Sequence, residues 1–226
     1  MSSCLCVGAA PCEQSVLAWL LGQRGFDAIY AVDGGYASLQ ALDIKPSCVF
    51  GDFDSLGYVP SCASAAFDTH KDFTDMDWAL GQAQGEGFDE VFMVQALEGR
   101  LDHTVGNLQL LAKYARRGLR VWGFSGEQVV VCLVGGTDLD TLEFDAAAQG
   151  TFSLLGHSDC AKGVVEEGLE WELSGAEFTN ESILGVSNEF KGRPARISVS
   201  QGSVWAFFPK ECLTASTWGK TTAAMK

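Results

Sequence analysis

The chain has 226 residues, of which 47% are hydrophobic and 19% charged, a balance that excludes a disordered protein. Its 29 acidic and 15 basic side chains give a formal net charge of −14, which excludes the broad basic surface of a nucleic-acid-binding protein. The longest apolar run, residues 129–134, is much shorter than the ~20 residues of a membrane-spanning helix, so we expect no membrane partner.

Cysteine usage and the N-terminal residues indicate the compartment. The eight cysteines include no Cys-x-x-Cys pair, and in a chain of this length they favour reduced thiols over a disulfide framework. Residues 1–14 lack the basic and apolar regions of a secretory signal. We therefore expect a cytoplasmic protein. The three histidines are far apart in the sequence, which disfavours a His/Cys zinc site.

The first half of the chain alternates short apolar runs with helical patterns, which predicts an α/β domain with a doubly wound, mostly parallel sheet. Strands are predicted, in chain order, at 4–8, 28–32, 48–50, 90–96 and 119–124. Helices are predicted at 13–22, 36–42, 74–84 and along the apolar face from Leu101 to Ala115. Basic residues and Gly118 follow that face, as is common at helix C-termini.

The pattern changes near residues 125–128, after which only short strand candidates separated by turn residues remain. They lie at 129–134, 151–155, 163–167, 169–173, 196–200 and 204–208. This half predicts an all-β sandwich or partial barrel. We therefore expect an α/β domain over 1–126, a β-sandwich domain over 127–210 and a flexible tail over 211–226.

Acidic residues cluster where the predicted strands end, which is where open α/β sheets bind their ligands. Asp52 and Asp54 follow the strand at 48–50, and in an extended chain both carboxylates point the same way. Such a pair suits Mg²⁺, which is held by one or two carboxylates together with phosphates and water. The alternative is a polar turn, because Asp, Gly and Ser favour turns.

The Asp33-Gly34-Gly35 stretch also follows a strand and precedes a helix. Glycines at such a point let a phosphate approach backbone N–H groups at the helix start. The stretch is neither a dinucleotide fingerprint nor a Walker A loop, so an ordinary strand-to-helix turn is the better reading of these residues alone.

Two further polar stretches precede predicted helices. Thr74 followed by Asp77 resembles a capping box, and Asp75 in the first turn suits the helix dipole. Lys71 has no such structural explanation.

Near Leu101, Arg100 at the end of a strand is well placed to meet a phosphate. Asp102 is a candidate N-cap, and His103 alone is better read as an ordinary residue at the start of a helix.

The set of motifs, in this order, resembles the thiamine pyrophosphokinase family. The matching stretches are AVDGG at 31–35, GDFDS at 51–55, KDFTD at 71–75, GRLDH at 99–103, GLEWEL at 168–173 and GVSNEF at 185–190. The resemblance spans residues 28–208. One departure is Glu98, which stands where the family often has a glycine and adds a negative charge near the expected phosphate site.

The resemblance implies an enzyme that transfers the diphosphoryl group of ATP to the hydroxyl of thiamine and releases AMP. It also implies an α/β domain followed by a β-sandwich, and a homodimer that binds thiamine where the domains of two subunits meet. The metal ligands for Mg²⁺ would be Asp52, Asp54 and Asp75, which also count as catalytic residues.

The remaining site residues follow from the same resemblance. Asp102 would orient the substrate or assist removal of the hydroxyl proton. The ATP-binding residues would be Asp33, Gly34, Lys71, Arg100 and His103, and thiamine would lie against Ser187, Asn188 and Phe190 in the second domain.

Alternatives remain open at this point. Ser-Asn is a common turn, and Phe190 is equally compatible with an ordinary core position. A pyrophosphokinase acting on a hydroxymethyl pterin would share the acidic centre, and a non-catalytic nucleotide-sensing dimer would share the pocket.

Overall fold

We describe the protein from a computed structural model, which covers residues 1–10, 14–53, 56–66 and 72–219. The chain divides into two compact units. The first comprises residues 1–111 and 119–126, and the second comprises 112–118 with the described residues after 126. Asp54 and Lys71 lie outside the described residues. No described helix is long and apolar enough to cross a bilayer.

The first unit is a parallel sheet with helices. Its strands are β1 (Ser3–Val7), β2 (Ala28–Val32), β3 (Cys48–Gly51), β4 (Ala65–Ala66), β5 (Glu90–Val94) and β6 (Arg120–Ser125). Its helices are α1 (Gln14–Gln23), α2 (Gly35–Ala41), α3 (Asp75–Gly85) and α4 (Leu101–Ala115), of which residues 112–115 belong to the second unit. The predicted α/β class is confirmed, with strand ends shifted by one or two residues.

The strand order reverses once within this unit. The order is β4-β3-β2-β1-β5-β6, and every neighbouring pair is parallel. Val7, the last residue of β1, pairs with Ala31 on one side and Val94 on the other. The chain therefore reverses its direction of travel across the sheet between β1 and β5, and open α/β sheets bind ligands in the crevice at such a point.

The second unit contains two antiparallel sheets among its described residues. One has the order β12-β9-β14-β7 and the other β11-β10-β13-β8-β15. The bounds are β7 (Gln128–Val134), β8 (Thr141–Phe144), β9 (Thr151–Gly156), β10 (Ala161–Glu167), β11 (Leu173–Phe178), β12 (Gly185–Glu189), β13 (Ala195–Ser198), β14 (Ser203–Pro209) and β15 (Ser216–Gly219).

Aromatic packing between these two sheets forms the core of the sandwich. The Phe144 ring in β8 meets Phe152 of β9 and Phe208 of β14 edge to face, with centroids 6.1 and 5.0 Å apart. All three side chains are buried. Along β9 and β14 buried positions alternate with more exposed ones, as expected when one face of a sheet packs on the core. The predicted β-sandwich is therefore confirmed.

Two sequence expectations differ from the structure here. Residues 169–172 form a loop rather than a strand, because Leu169 makes only an isolated bridge to Phe190 and β11 begins at Leu173. The described part of the expected tail, up to residue 219, has regular structure. A 3₁₀ turn at Lys210–Leu213 leads into β15, which pairs with β8 and buries Trp218.

Candidate functional site

A cavity of about 270 Å³ lies in the first unit, at the point where the strand order reverses. Residues 8–10 after β1, Asp33 after β2 and Gln95 after β5 form one part of its wall. Residues at the starts of α3 and α4 form another part, including Asp75, Arg100 and His103. The cavity therefore brings together side chains from four separate stretches of the chain.

Three residues at neighbouring strand ends adopt the left-handed backbone conformation without being glycine. They are Asp33 with φ of 50°, Phe53 with φ of 58° and Gln95 with φ of 54°. Such conformations cost free energy and tend to collect at functional sites, where the surrounding structure enforces them.

Asp33 is held in place by its neighbours while one of its oxygens remains unpaired. Its backbone N–H donates to the Phe50 carbonyl at 2.9 Å, and a Cβ at Gly51 would lie 3.0 Å from the Asp33 Cα. Its Oδ1 atom is buried and has no hydrogen-bond partner among the described residues. A buried acceptor without a partner costs free energy, so Asp33 is prepared for a ligand that donates to it or coordinates it.

Gly35 has a packing reason for being glycine. A Cβ there would lie 2.0 Å from the Val7 carbonyl oxygen and 2.8 Å from that of Gly8. The helix that follows, α2, has only seven residues. The Asp33-Gly34-Gly35 turn therefore serves close packing of α2 on the end of β1, and Gly34 is not among the residues that line the cavity.

Two of the three predicted metal ligands lie within the described residues. Asp52 is half-buried and follows β3 directly, and Asp75 lies in the first turn of α3. Among the described residues, no three His, Cys, Asp or Glu side chains form a group that would hold a metal ion. Asp54 lies outside them. The chemistry of the set fits a hard cation, since Asp33, Asp52 and Asp75 offer carboxylate oxygens, one of them unpaired.

Thr74 caps α3 as the sequence predicts. Its side-chain oxygen accepts a hydrogen bond from the Asp77 N–H at 3.1 Å. The cap fixes where α3 begins and therefore where Asp75 stands in the wall of the cavity.

Arg100 and Asp102 form an exposed ion pair at the start of α4. The guanidinium donates to both carboxylate oxygens, at 2.7 and 3.2 Å. This bond lowers the pKa of Asp102 to about 2. A carboxylate that gives up its proton so readily is a poor proton acceptor at neutral pH. Asp102 does not line the cavity.

Gln95 was not predicted from sequence as a site residue, and Glu98 was noted only as a departure from a family pattern. Both line the cavity, and each has one buried oxygen without a partner among the described residues. Burial raises the pKa of Glu98 against the opposing effect of the Gly126 N–H. The available signal was their position, because polar residues directly after a buried parallel strand lie where such sheets bind ligands.

In the second unit, the Asn188 side chain is saturated with internal hydrogen bonds. Its Nδ2 donates to Glu166 Oε2 at 2.9 Å and to the Trp171 carbonyl at 2.7 Å. Its Oδ1 accepts from the backbone N–H groups of Trp171 and Glu189, at 3.1 and 2.9 Å. All four hydrogen-bonding positions of the amide are occupied, so Asn188 holds the 169–172 loop, and its contact with a ligand stays a prediction.

The other two predicted thiamine contacts, Ser187 and Phe190, differ in how far they are buried. Phe190 is half-buried, and its ring meets Phe144 and Phe152 edge to face with centroids 4.8 and 5.8 Å apart. These contacts are core packing, and the expected stacking of Phe190 on a ligand stays a prediction. Ser187 is exposed, with φ of 65°, and its backbone N–H donates to Ser153.

Trp171 is the exposed aromatic residue next to this motif. Its side chain is 59% exposed, although both polar groups of its backbone are held by Asn188. Large exposed aromatic side chains on fixed backbone are suited to binding flat ligands. The GLEWEL stretch contained this signal, but from sequence a buried Trp was equally compatible with it.

Comparison with known proteins agrees with both units. Residues 24–123 match the family model described as thiamin pyrophosphokinase, catalytic domain, and residues 141–204 match thiamin pyrophosphokinase, vitamin B1 binding domain. The chain is 26% identical over 181 residues to the thiamine pyrophosphokinase of Bacillus subtilis (strain 168), covering 76% of this chain and 82% of that protein.

Solved structures show the same fold. The crystal structure of thiamine pyrophosphokinase from Bacillus subtilis superposes with a TM-score of 0.79 at 22% identity, covering 92% of this chain and 99% of that one. The structure from Geobacillus thermodenitrificans gives 0.74 at 26% identity, covering 93% and 99%.

Fold and site together define a two-domain enzyme, an α/β domain with a polar crevice at its sheet reversal followed by a β-sandwich domain. The two family models cover most of the chain between them. The chain belongs to the thiamin pyrophosphokinase family.

Proposed function

We propose that this protein transfers the diphosphoryl group of ATP to thiamine. The thiamine hydroxyl oxygen forms a bond to the β-phosphorus, and the bond from that phosphorus to the oxygen bridging to the α-phosphate breaks. AMP leaves with the bridging oxygen, and the hydroxyl proton is released. The observation that carries the proposal is the crevice between β1 and β5, where Asp33, Asp75 and Arg100 meet in a chain whose two domains both match this family.

Mg²⁺ is part of the proposal because the chain is strongly acidic and ATP is a polyanion. Asp52 and Asp75 would hold the ion, with Asp33 offering its unpaired oxygen and Asp54 a further carboxylate. Bound Mg²⁺ neutralises phosphate charge and favours the transfer. Arg100 contributes the local positive charge, and Lys71 is proposed to assist it. His103 lines the same cavity and is proposed to contact the nucleotide.

Asp102 is proposed to position Arg100 rather than to accept the hydroxyl proton. The bidentate bond to the guanidinium restricts Arg100 at the rim of the cavity. Phosphoryl transfer depends mainly on positioning and on stabilising charge, and a positioned arginine supplies both.

For the acceptor, we propose that thiamine rests against Trp171 and Ser187 in the second unit. Thiamine is cationic and has two aromatic rings, and an exposed indole attracts such a ligand through stacking and cation–π contact. Asn188 takes part by holding the loop that carries Trp171. We further propose a homodimer, in line with the family resemblance, which sedimentation of the active enzyme tests.

Product analysis tests the proposed reaction. Incubation with ATP, Mg²⁺ and thiamine should yield thiamine diphosphate and AMP, and EDTA should stop the reaction. A hydroxymethyl pterin in place of thiamine serves as the acceptor control and should give no AMP. Appearance of ADP instead of AMP would mean attack at the γ-phosphorus and would refute the proposal.

A matched pair of substitutions tests the acceptor site. Phe190→Ala should lower the free energy of unfolding by about 2–4 kcal/mol, because it leaves a void beside Phe144 and Phe152. It should leave the KM for thiamine of the folded enzyme unchanged. Trp171→Ala should do the reverse, raising that KM several-fold with little loss of stability. Denaturation curves and KM values for both variants decide, and the opposite pattern would return Phe190 to the binding site.

A further inference from the structure

Two acceptor oxygens without partners lie at the end of β5. Gln95 Oε1 and Glu98 Oε2 are both buried, and neither has a hydrogen-bond partner among the described residues. The Gln95 side chain is only 3% exposed. Both residues line the cavity between β1 and β5. Buried polar atoms in folded proteins nearly always have partners, so two such oxygens in one cavity indicate a ligand that donates hydrogen bonds.

The loop that carries these oxygens is fixed on three sides. Asn107 Nδ2 donates to the Ala96 carbonyl at 2.6 Å, and the Ala10 N–H donates to the Gln95 carbonyl at 2.9 Å. The Gly8 backbone lies so close that a Cβ there would be 2.4 Å from that same carbonyl oxygen. The loop therefore cannot relax to supply the missing partners without breaking these contacts.

The Glu98 carboxylate is oriented by one of its own oxygens. Oε1 accepts a hydrogen bond from the Gly126 N–H at 2.8 Å, at the end of β6. That bond leaves Oε2 as the oxygen without a partner. The group is thus set in place before any ligand binds.

Charge decides which part of a nucleotide would meet these oxygens. The carboxylates proposed for Mg²⁺ follow β2 and β3 or begin α3, whereas Gln95 and Glu98 follow β5 and precede Arg100, the proposed phosphate contact. A carboxyl group and an amide oxygen repel phosphate oxygens but accept hydrogen bonds from neutral donors. The nucleoside half of ATP carries such donors, namely the ribose hydroxyls and the exocyclic amino group of adenine.

We infer that Glu98 and Gln95 form the nucleoside subsite of the cavity and accept hydrogen bonds from these neutral donors. The inference rests on the proposed use of ATP. It makes Glu98, which departs from the glycine often found in the family, a specificity-determining residue for the nucleotide.

Binding measurements on the wild-type protein give the first test, because they need no turnover. Calorimetry compares AMP with 2′-deoxy-AMP, 3′-deoxy-AMP and IMP, each of which lacks one of the candidate donors. We expect at least one analogue to bind about tenfold or more weakly than AMP, since a site built to accept a hydrogen bond discriminates against a ligand without it. The analogue affected identifies the donor. Equal binding of all four nucleotides would overturn the inference.

Substitution of Glu98 gives the second test. Glu98→Ala should weaken AMP binding about tenfold and leave the affinity for the discriminated analogue unchanged, so that the preference disappears. Glu98→Gln, which keeps one acceptor oxygen and the shape of the side chain, should lose less, and it replaces Glu98→Ala if that variant does not fold. Glu181→Ala, an exposed carboxylate in the second unit, is the control and should bind like the wild type.

Three outcomes would overturn the inference. Tighter AMP binding by Glu98→Ala would place the carboxylate beside phosphate, and a raised KM for thiamine with unchanged AMP binding would assign the oxygens to the acceptor. Equal weakening of AMP and every analogue would show a purely structural role. Failure of the proposed function is distinguishable, because nucleotide discrimination without formation of thiamine diphosphate contradicts the proposed reaction and leaves the subsite standing.

Discussion

Replacing Asp52 by Asn should lower the rate of thiamine diphosphate formation by about 10²-fold or more, the range found when one group that stabilises transition-state charge is removed. Asp52 follows β3 directly and precedes the left-handed Phe53, and it is one of the carboxylates proposed to hold Mg²⁺. An asparagine amide carries no charge with which to hold Mg²⁺. Without the ion, a chain with a net charge of −14 repels the polyanion ATP. Steady-state assays over a range of Mg²⁺ concentrations measure the loss.

The loss should be in chemistry and not in folding. An asparagine amide has nearly the same size and shape as the carboxylate it replaces, so the melting temperature of Asp52→Asn should stay close to that of the wild type. Asp43→Asn is the matched control, an exposed aspartate in the same unit with φ of 54°, and it should retain full activity. Wild-type activity in Asp52→Asn would remove this residue from the proposed metal site.

Gly35→Ala should prevent stable folding or cost about 4 kcal/mol or more of unfolding free energy, among the largest effects of a single substitution. The new Cβ would lie 2.0 Å from the Val7 carbonyl oxygen, which belongs to the central strand of a parallel sheet. A backbone atom in that position cannot move aside as a flexible side chain would. Chemical denaturation of the purified variant, or its recovery in soluble form, measures the effect.

Gly22→Ala is the control for this effect. Gly22 lies in α1, is exposed, and has no atom within 4 Å of where a Cβ would be built. The same substitution there should be neutral or stabilise the protein by up to about 1 kcal/mol, because alanine favours helix more than glycine does. Equal behaviour of the two variants would contradict the packing explanation for Gly35.

The parallel strands of the first unit were predictable from sequence because they are buried on both faces and appear as continuous apolar runs. SCLCV in β1 and EVFMV in β5 are examples, and every residue in both is buried. In the second unit β11 has the sequence LSGAEF, with mostly exposed positions, and its strand character comes from pairing with β10. Edge strands of this kind lack an apolar pattern, so sequence analysis placed a strand too early, at 169–173.

The site residues also divide into those whose place was predictable from sequence and those whose role was not. Asp33, Asp75, Arg100 and His103 follow strands or begin helices, and topology alone brings such positions to one end of a parallel sheet. The role of Asn188 was not predictable, because a short amide in a turn has the same sequence whether it faces a ligand or its own backbone. The partners of that amide, at Glu166 and Trp171, are about twenty residues away and become neighbours only through the pairing of the strands.

The Asn188 amide has a consequence for the entropy of binding. Because one buried side chain holds both the N–H and the carbonyl of Trp171, the indole is mounted on a backbone that is already ordered in the free protein. A flexible loop would lose conformational entropy each time an acceptor bound, and that loss would weaken the affinity. In this protein the loop loses its conformational entropy once, when the chain folds. In the proposed acceptor site, the indole and Ser187 can therefore be exchanged for side chains that suit other flat cations, while the loop beneath them keeps its shape.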